Sequence, residues 1–398
     1  MHSISPQPFD RRHAKALAAS VSLLALALVL YHSLAGGTLL GPNAYDSYLL
    51  QAQNWLAGSA AIQNGEQYPW LELAVFEGRY YLSFPPVPSV LALPFAALGL
   101  SVSNLCQAAY GLMGAAGVYL CFWQRGGRPQ HCAYWALFAT LGSGFFWLCC
   151  SGGVWFQAQV LNFCFAVWGI LFWLRRQYLP AFFLLALTVG CRPFSALLAA
   201  ALYLPVCIRQ LKAKRFGRLL AVSALPLAVA AALAAYNAVR FGSIWEFGHN
   251  YLPEFMRETQ GQFSAGYFWP NLLNLLRPVT LTAGLDLQFP LFNGFFFGLA
   301  SPLFLLWGAD LASAVRKKTF RPADGAVLLL FCVSLAALCF HRTLGGWQFG
   351  ARYTVDLLPW ALLYFLRRPP KALGTGAYWL CAAGALFNFY GAAYLLSH

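Results

Sequence analysis

The sequence predicts an all-α polytopic membrane protein of about eleven transmembrane helices, within a range of ten to thirteen, with two long outer loops that carry interfacial helices. Three observations lead there. Sixty per cent of the 398 residues are hydrophobic and only ten per cent are charged, against about a quarter charged in a soluble domain. Apolar runs of about 20 residues, the length that spans a bilayer as helix, recur along the chain. The basic residues gather in short loops between those runs, as the positive-inside rule requires of cytoplasmic loops.

Taken in order, Arg11, Arg12 and Lys15 precede a first apolar run at 16–40. The run is longer than a signal-peptide core and more spans follow, so it reads as an uncleaved first helix with the N-terminus inside. The basic loops Arg125–Arg128, Arg175–Arg176, Arg209–Arg218, Arg316–Arg321 and Arg367–Lys371 all fall on that inner side. Ten further spans fit around them: 103–124, 131–150, 157–174, 178–191, 193–208, 219–238, 293–309, 324–340, 356–366 and 372–396. The whole chain, 1–398, is thus expected to form a single transmembrane domain in the plasma membrane of a bacterial-type cell.

Two segments between spans are long and fall outside. The first, 41–84, opens with "GPNAYDSYLLQAQNWLAG", where Tyr45, Leu49, Ala52 and Leu56 mark one face of a helix and Gly58 is a stop. That helix is expected along the membrane surface. The stretch "YYLSFPPVPSVLALPFAALG" (80–99) is too short and too rich in proline to span, and reads as re-entrant or interfacial. The second outer segment, 239–292, is rich in aromatics, Asn and Pro.

Acids sort by side. Of 12 Asp and Glu, Asp10, Asp310 and Asp324 fall inside. Asp46, Glu66, Glu72, Glu77, Glu246, Glu254, Glu258, Asp286 and Asp356 fall outside or at the outer mouth. Acids contribute little to topology, so the asymmetry points to polar chemistry on the extracytoplasmic face. Composition also excludes some classes. The net charge of +14 is spread over the inner loops and forms no aromatic-laced basic face, which argues against nucleic acid. The 11 cysteines sit in or at the ends of apolar runs, where they read as small core residues, with no zinc spacing among them.

Asp46 is the foremost candidate. A carboxylate at the outer end of a first span can act as general base toward an acceptor hydroxyl or amine. It can equally be a helix cap that satisfies backbone amides, and both readings stand on the residues alone. Arg352 and Asp356 in "ARYTVDLL" are one helical turn apart and can pair. Alternatively Arg352 grips a phosphate, which guanidinium matches bidentately. Arg192, just before Pro193, and Arg342, beside His341, are further candidates for that role. Glu77, Tyr81, Glu246, His249 and Asp356 could contact a sugar or acceptor. Tyr80, Trp155, Trp245 and Trp347 could stack on one, although interface anchoring is the default for such rings.

Six pieces carry a family resemblance: "AYDSYLLQAQNWLAG", "GRYYLSFPPVPSVLALPF" (78–95), "SGGVWFQAQ" (151–159), "CRPFSALLA" (191–199), "AYNAVRFGSIWEFGHNY" (235–251) and "FGARYTVDLLPW" (349–360). In this order they resemble the GT-C class of integral-membrane glycosyltransferases, in its bacterial mannosyltransferase-like and aminoarabinose-transferase-like branch. The resemblance implies a GT-C fold and a polyprenyl-phosphate sugar donor. It also implies that Asp46 is the catalytic acid of the first outer loop and that Arg352 holds the lipid phosphate. Many members carry a paired acid, Asp-Glu or Asp-x-Asp, where this chain has Asp46, Ser47 and Tyr48. A divalent metal therefore lacks a local paired-acid site and would need Glu66, Glu72 or Glu77.

The expected function is transfer of a sugar from a polyprenyl-phosphate carrier to a cell-envelope acceptor at the extracytoplasmic face. The tail would lie in an apolar groove by 85–99. A lipid-linked glycan transporter or flippase is the alternative, yet no internal repeat appears and the charges lie at the outer mouth. A non-catalytic scaffold of the same fold is a third reading.

Overall fold

The computed structural model describes residues 8–257, 259–284, 286–370 and 372–397. Glu258 and Lys371, named above, lie outside the described residues. The chain is mostly helical and packs as two compact units interleaved in sequence. One comprises residues 1–37, 108–150 and 265–398; the other comprises 38–107 and 151–264.

Among the described residues, six helices are long and apolar enough to cross a membrane: Arg11–Leu34, Ser103–Gln124, Val154–Leu174, Pro193–Lys212, Phe216–Phe241 and Pro322–Cys339. Few residues in the most apolar stretch of the Phe216–Phe241 helix are buried within the protein. The helix exposes Leu220, Leu227 and Val239. An apolar surface of that size is stable only against lipid, so the chain is membrane-embedded. Val87–Ala97 and Tyr178–Val189 are shorter apolar helices. At 1.5 Å per residue neither is long enough to cross a core of about 30 Å without tilt-free help from its flanks.

Every predicted span coincides with helix, but two are interrupted. The run predicted at 131–150 is two helices, Pro129–Ala139 and Phe145–Cys149. The run at 293–309 is likewise divided, into Phe297–Ala300 and Leu303–Arg316. Broken helices survive in an apolar setting only if neighbours satisfy the freed backbone. Here the Ser301 hydroxyl accepts the Gly144 N–H at 3.2 Å, and the Asn388 side chain donates to the Ala300 carbonyl at 2.9 Å. The 356–366 span is a 3₁₀ segment, Arg352–Leu357, running into a helix Leu358–Leu366.

In the other unit, strands Leu73–Phe76 and Arg79–Leu82 form an antiparallel hairpin. Its two-residue turn is Glu77-Gly78, both at positive φ (49° and 73°), the twist that suits a tight hairpin. The helix predicted from Tyr45 to Leu56 is present as Ser47–Leu56. Its inward face differs from the apolar stripe: Leu49 and Ala52 are buried, but Tyr45 and Leu56 are exposed. Polar Gln51 turns inward instead, where it donates to the Tyr236 hydroxyl at 2.7 Å and accepts from Ser89 at 2.6 Å. This helix therefore packs on protein through a mixed face, apolar at Tyr48, Leu49 and Ala52 and polar at Gln51. All 11 cysteines remain thiols.

Candidate active site

Asp46 caps the Ser47–Leu56 helix. Its Oδ1 accepts the Leu49 N–H at 3.1 Å and the Gln157 side-chain amide at 2.8 Å. Gln157 also donates to the Gly152 carbonyl, so one amide ties the cap to the start of the Val154–Leu174 helix. The N-terminus of the Ser103–Gln124 helix closes the group. Asn104 Oδ1 accepts from Gly152 N–H at 2.7 Å and from Asn43 at 3.0 Å, and Asn43 donates as well to Ser151 at 3.1 Å. Val154 N–H donates to the Tyr45 carbonyl at 2.9 Å.

Three helix N-termini thus converge on one carboxylate. Each presents unsatisfied N–H groups and the positive end of its dipole, an arrangement that attracts anions. The approach needs Gly152. A Cβ there would stand 2.4 Å from the Ser103 carbonyl carbon and 2.7 Å from the Asn104 nitrogen, distances that backbone cannot yield to.

Burial raises the Asp46 carboxyl above the usual carboxylate value. The Leu49 N–H, Gln157, Ser103 and the Tyr48 N–H pull the other way without cancelling it. The result is a carboxylate held by donors yet more basic than one in water. Next to it, the Tyr48 phenol is wholly enclosed and its hydroxyl has no hydrogen-bond partner among the described residues. Burial raises it strongly; Cys191 adds to the rise, Arg192 opposes it and Asp46 adds again. Arg192 therefore stands on the same side of this unit as Tyr48. It caps the 3₁₀ turn Pro193–Ser195 in extended conformation, as a residue before proline favours.

The other outer-loop candidates have varied settings. Glu77 is exposed at the hairpin tip. Tyr81 is buried against Phe241, 5.3 Å between ring centres. Glu246 holds its own loop, accepting from Gly248 N–H at 2.6 Å and Asn250 at 2.8 Å. His249 lies edge-on to Phe84. Arg240, passed over as a site residue in the sequence, is almost wholly buried. It donates to the Leu82 carbonyl and to Asn237, lies 4.0 Å over the Tyr236 ring, and leaves its Nε without a hydrogen-bond partner among the described residues. Gln157, Ser103, Asn104 and Gly152 were also missed. "SGGVWFQAQ" held part of the signal, since two glycines before a helix mark a close backbone approach.

The remaining candidates belong to the other unit. Arg352 is buried, and its Nε and Nη2 donate to the Gly345 carbonyl at 3.1 and 2.9 Å. Gly345 sits at φ 113°, and a Cβ there would meet the guanidinium at 2.4 Å. Asp356 lies in the same 3₁₀ segment and Arg342 follows the Pro322–Cys339 helix, both partly exposed. Among the described residues no three His, Cys, Asp or Glu side chains gather as a metal site.

No family model matches the sequence, and no curated protein matches it either. A solved structure does. The chain superimposes on ArnT from Cupriavidus metallidurans, whose crystal structure is bound to undecaprenyl phosphate, with a TM-score of 0.53. The match covers 95% of this chain and 76% of that one at 14% identity. The chain therefore shares the fold of that protein. At that identity the likeness lies in how helices are placed.

Proposed function

We propose that the chain transfers a sugar from a polyprenyl-phosphate carrier to an acceptor at the extracytoplasmic membrane face, with Asp46 as general base. The observation that carries this reading is the Asp46 carboxylate itself: partly exposed, made more basic by burial, and set where three helix N-termini meet. The acceptor O–H or N–H attacks the anomeric carbon, the carbon–oxygen bond to phosphate breaks, and Asp46 takes the acceptor proton. Polyprenyl phosphate leaves with the electron pair. Helix N-termini and the Arg192 guanidinium are the positive groups in this unit suited to its charge. That the fold resembles a protein crystallised with undecaprenyl phosphate adds to the choice of carrier.

The tail has a place in the same unit. An apolar cavity of about 410 Å³ lies between the helices Tyr178–Val189, Ala196–Lys212 and Phe216–Phe241, and Asn237 and Trp245 are among its lining residues. The proposal puts the polyprenyl chain there rather than by 85–99. One observation favours a scaffold instead: Asp46 already caps a helix. The two separate in a transfer assay in liposomes with radiolabelled polyprenyl-phosphate sugars and an envelope lipid extract. Label moved by the wild type and not by Asp46→Asn supports catalysis. Equal label from both removes Asp46 from the reaction.

A further inference from the structure

Another cavity lies within the unit of residues 1–37, 108–150 and 265–398. It measures about 190 Å³ and is walled by Phe122, Trp135, Leu306, Phe365, Pro369 and Pro370. At about 30 Å³ per water this is room for roughly six waters, enough for a phosphate group and too little for a sugar phosphate with its lipid. Arg125, His131, Asp310 and Arg368 also line it. Arg368 is already neutralised, with Asp324 at 2.9 Å and Asp310 at 3.5 Å. Asp310 further accepts the Tyr364 hydroxyl at 2.7 Å. Arg125 has no such partner. It is 8% exposed, and its side chain's one hydrogen bond among the described residues runs from Nε to the Leu366 carbonyl at 2.7 Å.

A buried guanidinium without a counter-ion is costly unless an anion is brought to it. Its two terminal nitrogens form the fork that matches two phosphate oxygens. The loops Arg125–Arg128 and Arg367–Lys371 are those the charge pattern assigns to the cytoplasmic side, and basic pockets between transmembrane helices on that side suit lipid head groups. Aromatic and proline walls around the charge favour a lipid over a hydrated free ion. We propose that this cavity binds the phosphate group of an anionic membrane lipid through Arg125.

The test uses the purified full chain in detergent and calorimetric titration with three probes: dioctanoyl phosphatidylglycerol, dioctanoylglycerol, and inorganic phosphate. Saturable one-to-one binding is expected for phosphatidylglycerol and none for dioctanoylglycerol. Arg125→Gln should weaken it about tenfold or more. Ala377→Phe, which fills the cavity from another wall while leaving Arg125 in place, should do the same and guards against misfolding of the first variant. Undiminished binding in either variant, or no saturable binding in the wild type, overturns the proposal. Inorganic phosphate bound as tightly as the lipid overturns the lipid as the ligand.

Discussion

Asp46 serves two donors with one oxygen, the Leu49 amide and the Gln157 side chain, so its cap and its chemistry can be separated. Asn caps a helix as well as Asp. Asp46→Asn should therefore change thermal stability by less than about 1 kcal/mol, while turnover falls by about 10²–10⁴, the usual worth of a general base. A large drop in melting temperature with matching loss of activity would return Asp46 to a structural role. The pH behaviour has a definite sign. Burial raises the folded-state value above the unfolded one. The stability it contributes is full below about pH 4, the ordinary carboxylate value, and is lost as pH rises through the folded value. Turnover runs the opposite way, because the base must be ionised. Gln157 stabilises the ionised form, so in Gln157→Leu the acid limb of the rate profile should move to higher pH. A limb that stays put, or moves to lower pH, would show that Gln157 does not act on the titrating group.

At the scale of elements, the site depends on how closely three helix starts approach. Gly152→Ala places a methyl within the Ser103–Asn104 backbone, and overpacking of this kind costs about 1–3 kcal/mol. Thermal unfolding in detergent should show that loss, and transfer should fall with it as Asp46 shifts from Gln157. Unchanged unfolding would mean that the 151–153 turn moves freely. The same scale explains which elements the sequence displayed. Long continuous spans such as Phe216–Phe241 were legible because a lipid-facing helix needs only length and apolarity. The breaks at Thr140–Gly144 and Ser301–Pro302 were not, because each is made tolerable by a residue distant in sequence, Ser301 for Gly144 and Asn388 for Ala300. The inward turn of Gln51 was hidden for a like reason: its partners, Ser89 and Tyr236, lie 38 and 185 residues away.

At the scale of the molecule, the basic loops predict an orientation that labelling can test. Lys212 and Arg79 are both exposed, one beside a basic loop and one on the first outer segment. Lys212→Cys should react with a membrane-impermeant maleimide only after the cells are opened, and Arg79→Cys in intact cells, each read against the wild type. The reverse pattern would invert the chain and put Asp46 on the cytoplasmic side.

Apolar runs and charge sidedness are sums over many residues, each adding its own transfer free energy. That is why the sequence by itself determined a helical membrane protein and Asp46 as the acid after its first long apolar helix, whereas of the eleven expected spans only six are single helices long and apolar enough to cross a membrane among the described residues. Whether Asp46 is more basic than a surface carboxylate, which amides hold it, and that Arg125 is buried without a counter-ion among the described residues were decided only by tertiary structure. Those properties depend on distance and desolvation, and the groups concerned, Asp46 with Gln157 and Arg125 with Leu366, are 111 and 241 residues apart.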